Sequence, residues 1–390
     1  MFSGHTIAIG VRLGLAAAAL AMLGALLVVP RADAATPRCF GERATIVGKP
    51  KQDTIKGTPR RDVIVAGPGY HDVQADAGND LVCAGAGQVD ARGDGGDDRI
   101  RGGPAGDYLD GGPGADSLTG RGGNDSVKGK NGADTLTGGA ENDSLQGDTG
   151  ADTVAGGSGR DDADGGEDDD VVSGGPDRDR LAGDSGNDAL TGDPTGVAAA
   201  DSLNGGSGAD QLTGGDGADK LVDGRGVDSV DGGPGNDSLL PEFDSTGGDA
   251  FVGGEGEDEI SFADYGEGMR VTLDDVANDG AGCPQRCEAD NVGSTVENVL
   301  GSDEADTIIG SSVTNVLDGA DGTDIIDGGE GGDILKGDIG TDSLNGSAGD
   351  DSLTGGGGDD SLDGGSETDE CRGDQGIDTA ANCETMVAVP

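Results

Sequence analysis

Gly111-Gly112-Pro113-Gly114-Ala115-Asp116-Ser117-Leu118-Thr119 is followed by Gly120-Arg121-Gly122-Gly123-Asn124-Asp125-Ser126-Val127-Lys128 and then by Gly129-Lys130-Asn131-Gly132-Ala133-Asp134-Thr135-Leu136-Thr137. The three stretches superimpose as frames of nine: glycine at the front, aspartate at position 6, an aliphatic residue at position 8. A fixed short period of this kind is the mark of a stacked-coil architecture in which no unit can bury its own apolar face.

Walking outward, the frame runs from Gly48 to Thr191 without a slip, giving 16 units. After a four-residue insertion, 192–195, five more units run from Gly196 to Leu240, and two follow the insertion 241–243. Nine further units occupy 301–381, so 32 nonamers account for 288 residues. Position 6 is aspartate in 29 of the 32, the exceptions being His71, Val89 and Asn315, and position 8 is apolar in all 32.

Each position has a physical reading. Glycines at positions 1, 2 and 4 permit positive φ and close backbone approach, so six residues bend tightly with carbonyls turned inward. Residues 7 to 9 read as a three-residue strand whose middle side chain faces a narrow aliphatic core, and two nonamers make one coil. Position 6 supplies a hard oxygen. A cation that takes about 6–8 oxygens must draw on carboxylates and carbonyls of neighbouring turns.

Composition alone points elsewhere. With 77 acidic against 24 basic residues, a net charge of −53, 2% aromatics and no Trp, the chain has the profile of a disordered polyanion. The periodicity overrides that reading. The sign of the charge excludes nucleic acid as a partner and disfavours binding to an anionic membrane.

Residues 1–34 have the layout of a secretory signal peptide: Arg12, an apolar run from Leu13 to Val29, and Ala32-Asp33-Ala34 as a cleavage site. Export would put the six cysteines in an oxidising compartment. Six cysteines allow 15 pairings. Spacing suggests Cys283 with Cys287 and Cys371 with Cys383, which leaves Cys39 with Cys83. Cys283 and Cys287 also have zinc-ligand spacing, against which stands the lack of a second close pair or a nearby histidine.

These nonamers resemble the RTX, or haemolysin-type, calcium-binding repeat. The resemblance implies an all-β, right-handed parallel β-roll with several Ca2+ ions held between turns two units apart. The side-chain ligands it implies are Asp98, Asp107, Asp116, Asp125, Asp134, Asp143, Asp152, Asp161, Asp170, Asp179 and Asp188, then Asp201, Asp210, Asp219, Asp228, Asp237, Asp249 and Asp258. After the insertion they are Asp306, Asp324, Asp333, Asp342, Asp351, Asp360, Asp369 and Asp378. Asp116 is thereby paired with Asp134, Asp125 with Asp143, and Asp134 with Asp152.

The expected organisation is a signal peptide 1–34, an N-terminal cap 35–47, a first roll 48–261, a non-repeat insertion 262–300, a second roll 301–381 and a tail 382–390. Lys49, Lys51, Lys56, Arg60 and Arg61 make the first coils basic, so they are expected to hold fewer ions and to shield the core with the cap. Within the insertion, Arg270-Val271-Thr272-Leu273 alternates like a strand, and 295–300 reads as a degenerate coil.

The 68 residues of the mature chain outside the frame are scattered and leave no room for an ordinary catalytic domain. His71 is the sole histidine after residue 34 and falls at position 6, which argues against a catalytic triad. A carboxylate pair of glycosidase type is not removed by counting, so a calcium-stabilised extracellular hydrolase or toxin-related protein is the alternative. The favoured reading is a secreted, non-enzymatic calcium-binding protein. Its folding is coupled to the ion, and it serves a structural or adhesive role at a cell envelope or matrix.

Overall fold

The computed structural model describes residues 36–51, 53–194, 196–242, 247–281 and 290–387. The expected signal peptide and the Cys283–Cys287 pairing lie outside the described residues. Among the described residues there is no helix; the chain is a parallel β-solenoid of about 18 turns, as an RTX-type roll requires.

Strands two units apart pair in parallel with a shift of 18 residues: Leu118 stands opposite Leu136, and Leu136 opposite Val154. The intervening units build the opposite face, where Leu109 pairs with Val127 and Val127 with Leu145. The position 8 side chains of the two faces meet along the axis. All are buried except Ala380, which is partly so. Positions 7 and 9, often Ser or Thr, face outward.

The strands are longer than the three residues expected. Through the central coils they run to six, as in Ser117–Gly122, Ser126–Asn131 and Thr135–Ala140. Positions 1 to 3 of the next unit join the same ladder, with Arg121 opposite Gly139 and Gly122 opposite Ala140. The stacked turns also hydrogen-bond to one another: Gly114 N donates to Asn131 O and Gly132 N to Thr149 O, both at 2.8 Å. Turn and strand are therefore one continuous parallel ladder, which satisfies backbone groups that a narrow core could not leave bare.

The insertion acts differently on the two faces. On one, Glu259–Ser261 pairs with Asn298–Leu300 and that with Val316–Asp318, so the ladder crosses without a break. On the other, a 13-stranded sheet ends at Asn291–Val292, and a separate 7-stranded sheet contains Met269–Thr272 beside Thr307–Ile309. Phe251, Phe262, Tyr265 and Met269 are buried here. The first insertion shifts its register by a small step. Gly192, not Gly196, stands over Asp201, so the extra residues lie after position 1 of the unit and not before it.

At the N-terminal end, Arg38–Cys39 and Glu42–Arg43 form an antiparallel pair. Cys39 is bonded to Cys83, and Arg99 and Arg101 stack over the Phe40 ring. At the other end Cys371 is bonded to Cys383. Both pairings are those the spacing suggested.

Candidate metal centre

The position 6 aspartates form two rows, one along each edge of the roll, and the pairs expected from the sequence are neighbours. Asp116 N donates to Asp134 Oδ1 at 2.7 Å, Asp125 N to Asp143 Oδ1 at 2.8 Å, and Asp134 N to Asp152 Oδ1 at 2.6 Å. The same bond recurs along both rows, from Asp80 N to Asp98 Oδ1 and from Asp360 N to Asp378 Oδ1. One carboxylate oxygen thus closes the backbone of the preceding coil.

The second oxygen is what makes the site. Oδ2 of Asp80, of Asp98, of every position 6 aspartate from Asp116 to Asp219, of Asp237 and Asp258, and of Asp324 through Asp378 is buried without a hydrogen-bond partner. A carboxylate oxygen left so costs heavily unless a positive charge compensates it.

The surroundings supply more oxygen. A Cβ added at Gly214 would stand 2.6 Å from Asp219 Oδ2 and 2.6 Å from the carbonyl oxygen of Gly232, and one at Gly156 would meet Asp161 Oδ2 at 2.5 Å and Gly174 O at 2.7 Å. The position 1 glycine therefore keeps open a slot bounded by a carboxylate oxygen and a carbonyl oxygen of the next coil. Among the described residues no three His, Cys, Asp or Glu side chains converge on one metal site. Any ion held here draws on backbone carbonyls beside one or two carboxylates. That all-oxygen set fits a hard divalent cation such as calcium and not a thiophilic one.

Electrostatics agree with the geometry. Burial, opposed by the hydrogen bond from the preceding coil and reinforced by the charges of neighbouring aspartates, pushes Asp98, Asp125, Asp134 and Asp170 up to about 7. Asp179 is pushed up to about 8 by the same causes. Rows of carboxylates with this displacement are poorly ionised alone and gain from a shared cation.

Three row members escaped the sequence reading. Asp290 Oδ1 accepts from Asp249 N at 3.1 Å, Glu297 Oε2 from Asp258 N at 2.9 Å, and Glu384 Oε2 from Asp369 N at 2.9 Å. Each opens an acid-x-apolar triplet outside the nonamer frame (Asp290-Asn291-Val292, Glu297-Asn298-Val299, Glu384-Thr385-Met386), and that triplet was the available signal.

His71 stands in its row at position 6, 1% exposed, with neither ring nitrogen hydrogen-bonded. Asn315 replaces a carboxylate by an amide whose Nδ2 donates to Glu297 O at 2.9 Å.

A family model described as the RTX calcium-binding nonapeptide repeat (4 copies) matches residues 56–88, 92–127, 128–163, 164–194, 195–222, 204–239, 300–335, 336–371 and 346–380, together about two thirds of the chain. No curated protein matches it.

Proposed function

This chain belongs to the RTX calcium-binding nonapeptide repeat family and is a calcium-binding β-roll protein; from that premise we propose that it is exported and that it folds as it takes up the ion. The unpartnered, buried Oδ2 repeated along both edges carries this reading. Bound calcium would supply the divalent charge that these oxygens lack. The position 6 aspartates whose Oδ2 is unpartnered, Asp98, those from Asp116 to Asp219, Asp237, Asp258 and those from Asp324 to Asp378, are the side chains to hold it. Position 1 glycines keep the slot open, and inward carbonyls complete the oxygen set.

Coupling follows from what the chain offers without the ion. Most nine-residue units bury a single apolar side chain, while stacking brings like charges into rows at strand spacing, about 4.8 Å per rung. With a net charge of −53 and a core this thin, the ion-free acidic coils lack the apolar burial that ordinary domains use to offset chain entropy. Extracellular modules bind calcium at roughly 10⁻⁴–10⁻³ M, so residues 1–34 as an export segment and a calcium-poor cytosol would together delay folding until the chain is outside.

Far-UV circular dichroism of the chain from residue 35 tests this. Little β signal is expected in chelator, rising cooperatively as calcium is titrated; a full β spectrum in chelator would sink the coupling and leave the fold intact.

The role proposed for the folded rod is structural or adhesive and non-enzymatic. Its one mature histidine is buried in its row, and its outward positions often carry Ser or Thr on a parallel ladder. Calcium-dependent retention on cell-envelope or matrix material is the expected result, and equal retention in chelator would count against it.

A further inference from the structure

Among the described residues, four turns differ from the rest in how position 6 is used. Asp62 Oδ2 accepts from Thr58 N at 2.8 Å, Asp107 Oδ2 from Gly103 N at 2.6 Å, and Asp306 Oδ2 from Ser302 N at 2.7 Å. Asn315 Oδ1 accepts from Ser311 N at 2.8 Å. In every case the donor is the residue at position 2 of the same unit, and none of the four has a positive φ.

The turns whose Oδ2 has no partner show the opposite backbone. Position 2 has a positive φ in each unit from Gly112 to Asp184 and again from Ala320 to Asp374, whether the residue is Gly, Arg121, Lys130, Asp148 or Ser347. Asp201, in the unit that carries the four-residue insertion, is the exception. A non-glycine residue accepts that conformation at a cost of roughly 1–2 kcal/mol. That conformation turns the position 2 N–H away from the carboxylate, as where Gly157 N donates to Gly174 O, and leaves an oxygen to be met by something else.

We infer that the two turn types divide the roll by ion content: open turns take the cations, and the four self-bonded turns take none. The inference rests on the calcium-binding reading above and refines it. An N–H aimed at Oδ2 puts partial positive charge where the ion would have to sit. Asn315 is independent support. Its unit needs no carboxylate, and the amide nitrogen donates to the kind of carbonyl oxygen that would otherwise face a cation.

Position in the chain gives the division a consequence. Asp306 and Asn315 follow directly on the insertion, where Asp279 is also satisfied from the backbone, by Thr272 N at 2.7 Å and Val292 N at 2.9 Å. With the apolar packing of Phe262 and Tyr265, the described residues from 262 to 315 make a joint that needs no ion, set between two segments that do.

Equilibrium dialysis of the full chain against radioactive calcium at saturation counts the ions. Asp134→Asn is expected to bind at least one ion fewer than the unsubstituted chain, whereas Asp306→Asn and Asp62→Asn keep the full number. Equal losses from all three would overturn the assignment. Should a variant fail to fold, hydrogen exchange of the unsubstituted chain decides: in limiting calcium, the amides of Thr272, Val292, Ser302 and Ser311 should stay protected where those of 116–188 exchange. A shared calcium midpoint for both sets would refute the joint. Protection of every coil in chelator would defeat the folding coupling alone, leaving the ion counts to test the assignment.

Discussion

The first coil and the central coils are built on the same 18-residue ladder and close their turns by different means. Near the N-terminus Asp62 has both oxygens engaged, one by Thr45 Oγ1 and the other by Thr58 N and Oγ1. Cys39–Cys83 ties the cap to the second coil of its sheet, and Arg99 and Arg101 cover Phe40. From Asp116 to Asp219 the corresponding oxygen is buried with nothing on it. A repeat can thus keep its backbone while moving the compensation of its carboxylates from its own donors to an outside cation. The difference teaches that the fold and the ion requirement are separable properties of this sequence.

The largest way to break that contrast is acid. The central aspartates lie well above their ordinary value in the folded chain, at about 6 for Asp116 and Asp152 and about 7 for Asp125 and Asp134, chiefly through burial. A group raised on folding stabilises the fold fully below its unfolded value, near 4, and loses that contribution as pH rises through about 6–7. In chelator, lowering the pH from 8 to 4.5 should therefore restore β circular dichroism to the central coils, with protons standing in for the ion. In calcium the sign reverses, and the midpoint calcium concentration should rise as pH falls. A chelator spectrum that does not change with pH would refute the burial-driven reading.

Reduction of Cys39–Cys83 sharpens the contrast from the other side. The bridge spans 44 residues, and releasing a loop of that size costs about 4 kcal/mol in the chain-entropy account. Amide exchange within residues 38–101 should accelerate on reduction while that of 116–258 in saturating calcium stays as it was.

The smallest effect expected is local. Gly214→Ala puts a Cβ 2.6 Å from both Asp219 Oδ2 and Gly232 O, whereas Gly95→Ala meets nothing within 4 Å. The first should destabilise the calcium-loaded chain by about 1–3 kcal/mol and lower its ion count, and the second by less than about 0.5 kcal/mol. Denaturant unfolding at saturating calcium compares them; equal effects would mean that position 1 does not guard the slot.

Much of this was legible in the period itself. Leu118, Leu136 and Val154 at position 8 had to stack, and Asp116, Asp134 and Asp152 at position 6 had to form an edge row, because a coil of two nonamers leaves them no other place. The turn types were not legible. Gly103 and Gly112 are the same residue at the same position, yet one has its N–H turned to Asp107 and the other a φ of +100°. Peptide orientation within a glycine turn depends on the coils above and below it, which no single frame of nine contains. Asp290 and Glu297 were hidden because the insertion breaks the count while the ladder continues through space.

That most rungs pair with the one 18 residues away also makes the molecule a spool. Pulled by its ends, it would load its ladder hydrogen bonds a few at a time and pay out one coil per event, each releasing 18 residues, or roughly 60 Å of extended chain. A tether of that kind yields in small, repeated steps under tension, and in calcium each released coil has its neighbour ready as the template on which to rewind.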